Sequence, residues 1–568
     1  MLGKGNSTRS LRQVSFAVVG IVSLVSVSLV FAAPGQEQSL APTQLQRPIY
    51  GHGGVAIHSA VLNVRDAAKQ AANKAVVPKH GIAVPEPQRM PRRRTLPVAA
   101  PVGSSSPLAP TSESAPTSAT TSPSTVPSPP ATPNFLALVD DQTVIPPDTD
   151  GAVGLSHVMT ALNSQIRFQK RNGSQIVTLN TSDFWSSLNP RFISDPHVVY
   201  DPYGKRWIFT MIADFFLPTS SVLLAVSETS DPTGVWNLYR VIVDEKGKTF
   251  ADFPLLGFNE NWITVSVNMY PDAGGFFVES RIFAFDKADV YSNGAGHFTQ
   301  FEDPNGFAMA PARTHDKELD TEYLVEDWGG NLPSGTQFVG ALRISSITGS
   351  VNAPVFHSGI SFAVSSPWSD VPPFLNSEPQ KGSTKGIDGG DARIPQAEYR
   401  NGSLWTSHTV WLPFDTPTHS VAQWWQVLPN GTVRQRGRVE DPSGKTQYAY
   451  PSLAVNAQGD ALLGYSRFSP TQYASANYSF REQTDPPNTM RGDRVLKSGE
   501  APYFKTYGAS RNRWGDYSAT VVDPVNDVDM WTIQEYATTP SEVFDPSVGL
   551  VKLDRWSTWW GRVVDNLK

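Results

Sequence analysis

The feature that most constrains this chain is a unit that it repeats. Residues 511–536 read as a loop delivering an acid, Asp516, into an apolar run at 517–522. A turn containing Asp523, Pro524, Asn526 and Asp527 follows, and then a return run opening at Met530 and carrying Trp531. The same order of loop, acid, strand, turn and strand opens at Asp150, Asp195, Asp252 and Asp391, more weakly at Asp320, and at Tyr450 without the acid. Asn172-Gly173, Asn401-Gly402, Gln458-Gly459 and the Asp-Pro-Tyr-Gly at 201–204 supply hairpin turns between the runs. Seven units at a spacing of roughly 61 residues are too long for two strands each and suit four-stranded blades with long loops. The expected fold is all-β, a seven-bladed β-propeller preceded by a signal peptide and a linker.

A repeat also resolves a size problem. The globular part expected at 135–568 exceeds what one hydrophobic core usually serves. Charged residues are only 17% of the chain, against 43 Gly and 47 Pro, a balance that favours short strands and turns over helices. The net charge of -6 gives no basic footprint, so nucleic acid is not expected as a partner.

The amino-terminal third is read as three pieces. In 1–32, Lys4, Arg9 and Arg12 precede an apolar run ending in Val30-Phe31-Ala32, the pattern of a secretory signal peptide. An uncleaved anchor is the alternative, because the run approaches a bilayer-spanning length; no later stretch does. Residues 33–94 are expected to be low in structure, with one short Ala-rich helix near 59–75. Residues 95–134, built from Pro, Ser, Thr and Ala, are expected to be a disordered tether. An exported chain with no cysteine forgoes disulfides and has no thiol chemistry, which fits bacterial secretion or a periplasmic or cell-surface location.

In a propeller the first strand of each blade lines the central channel. Asp150, Asp195, Asp252, Asp391 and Asp516 would then converge on one channel mouth, where like charges raise one another's pKa values. Arg513 and Trp514, beside Asp516, could hold a carboxylate-bearing or carbohydrate ligand. Two of Asp195, Asp252, Asp391 and Asp516 could serve as catalytic acid and base. The plainer alternative is that each Asp caps a turn through its own backbone. Asp523, Asn526, Asp527 and Asp529 are oxygen-rich enough to suggest Ca²⁺ but lack EF-hand spacing, and a hairpin turn explains them; otherwise no cofactor is expected. The 230–236 segment, with Asp231, Gly234 and Trp236, resembles the Asp-box turn of sialidases with one residue too many between Asp and Gly.

The stretches at 145–154, 195–207, 226–236 and 512–531 together resemble a family of exported bacterial proteins of sialidase-like β-propeller type, itself largely uncharacterised. The resemblance implies a secreted propeller and carries no catalytic roles to transfer. Three functions fit: a recognition module for an extracellular polysaccharide or glycoconjugate, a glycoside hydrolase or polysaccharide lyase using the same acids, and a protein-interaction scaffold at the cell surface. None needs a membrane span once the signal is removed.

Overall fold

The computed structural model describes residues 48–73, 81–84, 96, 126–545 and 549–564. The leader at 1–32 and most of the tether lie outside them. Among the described residues no helix is long and apolar enough to cross a membrane.

Asp150–Val153, His157–Ala161, Gln165–Lys170 and Gln175–Asn180 pair in sequence order as one antiparallel run. The pattern of four consecutive strands repeats with first strands at Ile193–Asp201, Thr249–Phe258, Ala310–Thr314, Ala397–Arg400 and Gln447–Val455, and a last run of three consecutive strands opens at Ala519–Val522. Each first strand touches the first strand of the next run, and Ala519–Val522 comes back to Asp150–Val153. The first strands therefore form a ring, as in a β-propeller. Where the ring is tightest its strands pair in parallel, Phe258 with Arg313 and then Arg313 with Glu398, which fuses three runs into one 14-stranded sheet.

The ring is closed by its own amino-terminal side. Ala131–Val139 is the outermost strand of the last run, paired with Gly549–Val563. Ser128 just before it donates to the Gly492 carbonyl at 2.7 Å and accepts from the Phe480 amide at 3.0 Å. The expected boundary at 135 is thus corrected to about 126, and the end of the tether is ordered because it satisfies an open sheet edge. The fourth unit is corrected too. Its first strand is Ala310–Thr314, and Asp320 sits in the turn after it.

The segment 33–94 holds more structure than its composition suggests. Ile49–Tyr50, His52–Val55 and His58–Asn63 each add a fifth strand to the outer edge of the fourth, third and second runs in turn. The helix is shorter than expected, Val64–Ala72, because pairing with Val235–Ile242 claims Val61 and Leu62 for a strand. Asn63 caps it, accepting from the Arg65 and Asp66 amides. Val64 is fully buried, and Ala67, Ala68 and Ala71 pack on the cluster of Phe184, Trp207 and Trp236. Twelve of the fifteen tryptophans are wholly buried, so this chain uses indoles as wedges in its core.

Candidate functional site

Three of the first strands begin with the same irregularity. Asp195-Pro196, Phe253-Pro254 and Tyr450-Pro451 each fall where pairing with the second strand skips two residues. The residue before proline is left-handed in all three, with φ of 58°, 52° and 56°. Proline suits a bulge because it has no N–H to lose from the ladder. The register makes Asp195, Phe253 and Tyr450 equivalent, and Asp252 stands one residue earlier. In the first run the left-handed residue is Asp148, at φ 51°.

These bulges gather carboxylates at one end of the ring. Asp148 is buried and accepts from the Asn163 side-chain amide at 2.7 Å, while Asn163 Oδ1 accepts from the Asp195 backbone N–H at 2.7 Å. Burial, then the Asp516 and Asp195 charges, push Asp148 well above the carboxylate range. Burial, followed by Asp252 and Asp516, pushes Asp195 up to about 8. Burial lifts Asp252 to about 7, with Arg393 pulling it back and Asp516 pushing it on. Asp516 is gripped by Arg513, whose guanidinium donates to Oδ1 at 2.6 Å. Burial works against the Arg513 charge, but Asp516, Asp148 and Asp388 more than offset it. Asp391 is one arginine away. It takes a two-pronged bond from Arg393 at 2.8 Å on each arm, and Arg393 lies 4.4 Å over the Phe253 ring. The gap between Asp391, Arg393, Tyr450 and Asp516 is about 20 Å³, room for one water.

Asp195, Asp252 and Asp516 therefore face one another electrostatically, with Asp391 beside them. Asp150 is corrected. It lies two residues past the left-handed position, and its Oδ2 meets His197 Nδ1 at 2.6 Å in a buried pair under the Tyr517 ring, 4.1 Å from the imidazole. Trp514 is corrected as well. It is 1% exposed, donates to Ser466 Oγ at 2.9 Å and packs on Tyr503 and Phe468, so it offers no face to a ligand.

Two members escaped the sequence reading. Asp148 stands two residues before Asp150 in a run where either could be the repeat's acid. Glu535, buried in the second strand of the last run, is pushed well up by burial and then by Asp148 and Asp140. Nothing in its local sequence distinguishes it.

The acidic turn faces cationic and indole donors. Asp523 accepts from Trp531 Nε1 at 3.0 Å and pairs with Arg171; Asp527 takes Arg400 at 2.6 and 3.1 Å; Asp529 takes Asn526 at 2.8 Å and Arg562 at 3.0 Å. Among the described residues no group of three or more His, Asp or Glu side chains is arranged to hold a metal ion. The Asp-box-like turn caps itself, Asp231 accepting from the Thr233 amide and hydroxyl and Trp236 donating to the Pro232 carbonyl.

No family model matches the chain, and no curated protein does. Among solved structures it is similar to the Dos1 propeller, at 7% identity over 71% of this chain and 75% of that one, TM-score 0.32. It is similar to the parainfluenza virus 5 hemagglutinin-neuraminidase, solved with the ligand DANA, at 10% identity over 66% and 94%, TM-score 0.34. The β-propeller domain of the Trilobed protease from Pyrococcus furiosus matches at 10% identity over 66% and 99%, TM-score 0.29. Superpositions this loose carry no weight on function. The ring rests on the strand pairing given above.

Proposed function

We propose that the chain is an exported bacterial seven-bladed β-propeller acting as a recognition module, which takes an extracellular polysaccharide or glycoconjugate at its acid-lined mouth. The supporting observation is the gathering of Asp148, Asp195 and Asp252 around the Arg513–Asp516 pair at one end of the ring. Asp195 and Asp252 sit near the point of holding a proton at neutral pH, while Asp516 is locked against Arg513. Protonated and ionised carboxyls side by side offer hydroxyl groups both donors and acceptors. The narrow gap between Asp391 and Asp516 favours a ligand lying across the mouth over one threaded into it. With Trp514 buried, recognition falls to hydrogen bonds more than to ring stacking.

A second reading has the same support. A carboxyl raised towards its protonated form beside one paired with an arginine suits the acid and base of glycoside hydrolysis, with Asp195 as acid and Asp516 as base or nucleophile. A glycan array probed with the leaderless chain at pH 6, alongside a reducing-sugar assay on every glycan bound, tests both. Binding without release, lost in Asp195→Asn, is the expected result. Release of reducing ends that Asp195→Asn abolishes favours the hydrolase. No binding to any glycan overturns the first reading.

A further inference from the structure

At the opposite end of the ring, the first strands finish around a cavity of about 230 Å³. Its walls are largely hydrocarbon: Val153, Val199, Phe258, Val521 and Val522. Into this lining project a few polar groups, chiefly Arg313, Tyr200 and the His315–Glu398 pair. Apolar walls with a small set of convergent polar groups are the usual make-up of a small-molecule site.

Arg313 is the unusual member. It is 4% exposed, yet its guanidinium makes one hydrogen bond only, to Gln396 Oε1 at 3.5 Å, the outer limit for such a bond. Its Nε has no partner. The two nearest carboxylates are Asp150 and Glu398, both at 3.9 Å. Each also holds a closer partner. Asp150 binds the His197 ring at 2.6 Å and the Gly151 amide at 2.5 Å, and Glu398 Oε2 meets His315 Nε2 at 2.7 Å. A guanidinium has five N–H donors, and burying them unpaired is costly. The deficit is not slack in a loop. Arg313 pairs in parallel with Phe258 on one side and Glu398 on the other, so its backbone is fixed in the narrowest part of the ring. The Tyr200 hydroxyl on the cavity wall is likewise buried and without a partner. Arg400 spends both terminal nitrogens on Asp527, which stands half-exposed at the entrance near Tyr203.

We propose that this cavity is a second binding site, distinct from the acid-lined mouth, for a small organic monocarboxylate with an apolar body. The carboxylate takes the unmet donors of Arg313 and the Tyr200 hydroxyl, and the body lies against the valines and Phe258. A planar two-oxygen acceptor matches a guanidinium fork. A doubly charged phosphate fits less well, because Glu398 and Asp527 line the same space. An aromatic ring is within the size allowed, since cavities of about 150 Å³ accept benzene.

Sodium benzoate, with benzamide as its neutral isostere, tests this by isothermal titration of the full mature chain. Saturable benzoate binding is expected, with benzamide weaker by about tenfold or more. Arg313→Met should abolish it and Tyr200→Phe weaken it several-fold, while Asp516→Asn at the other mouth should leave it unchanged. If Arg313→Met does not fold, Arg313→Lys keeps the charge without the fork and should still bind benzoate about tenfold more weakly. Equal binding of benzoate and benzamide, no saturable binding of benzoate, or wild-type affinity in a folded Arg313 variant would overturn the proposal. Loss of binding in Asp516→Asn would place the ligand at the acid-lined mouth instead, which also overturns it.

Discussion

The two ends of the channel solve the same problem, charge inside a closed ring of strands, in opposite ways. At the acid-lined mouth carboxylates outnumber arginines, and every arginine is spent: Arg513 on Asp516, Arg393 on Asp391. The surplus is pushed towards its protonated form, Asp195 and Asp252 chiefly by burial. At the far mouth Glu398 and Asp527 hold His315 and Arg400, and what is left over is hydrogen-bond donors on Arg313, whose Nε has no partner and whose nearest carboxylates stand at 3.9 Å. A surplus acid can neutralise itself by binding a proton; a surplus guanidinium cannot. The first mouth is therefore self-sufficient at low pH, and the second waits for an anion.

That contrast orders the expected effects of substitution. Arg513→Met removes the counter-charge shared by Asp516 and Asp148, and should cost about 3–5 kcal/mol in denaturant unfolding at pH 8. The loss should shrink at pH 5, where Asp148, raised by burial and its acidic neighbours, holds its proton; an equal loss at both pH values would break the account. Arg313→Met, equally buried, should cost less than Arg513→Met, because its carboxylates stand at 3.9 Å and its one hydrogen bond spans 3.5 Å, against 2.6 Å between Arg513 and Asp516. A cost as large as that of Arg513→Met would erase the difference between the two mouths.

Asp195→Asn should act through pH. The folded pKa of Asp195 lies well above that of an unfolded aspartate, so the stability its protonated form brings is complete below about pH 4 and is lost as pH rises through about 8. The amide cannot ionise. Thermal unfolding should therefore show the variant gaining on the wild type between pH 5 and pH 9 and matching it near pH 4. Asp527→Asn should have the smallest effect, about 1 kcal/mol or less, because Asp527 is half-exposed and its bond to Arg400 is screened by water.

What the sequence carried was local. Asn401-Gly402 predicts a tight hairpin, and both residues adopt the left-handed backbone it needs, at φ 51° and 72°. The spacing of such turns leads to four-stranded runs, since turn chemistry acts within a few residues. The fifth strands were hidden for the opposite reason. Ile49–Tyr50 and His52–Val55 are only two and four residues long, the second half glycine, and they pair with open sheet edges far along the chain. At the acid-lined mouth, residue type was readable and depth was not. Asp148 and Asp150 differ by two positions, yet one meets Asp516 and Asp195 while the other is sealed against His197. Trp514 looked like a platform because an indole between Arg513 and Gly515 is polar in its neighbours, and only the packing of Tyr503 and Phe468 shows it as core. Arg313 gave no signal, because an unmet donor is a property of its surroundings.

The most direct test of proton storage at the acid-lined mouth is a pH titration of the aspartate side-chain carboxyl carbons by ¹³C NMR, with Asp195→Asn for assignment. An aspartate resonance that titrates near pH 8 and disappears in Asp195→Asn is the predicted result. If every aspartate of the folded chain titrates below about pH 5, in the ordinary range, the acids do not share protons and the contrast between the two mouths is wrong.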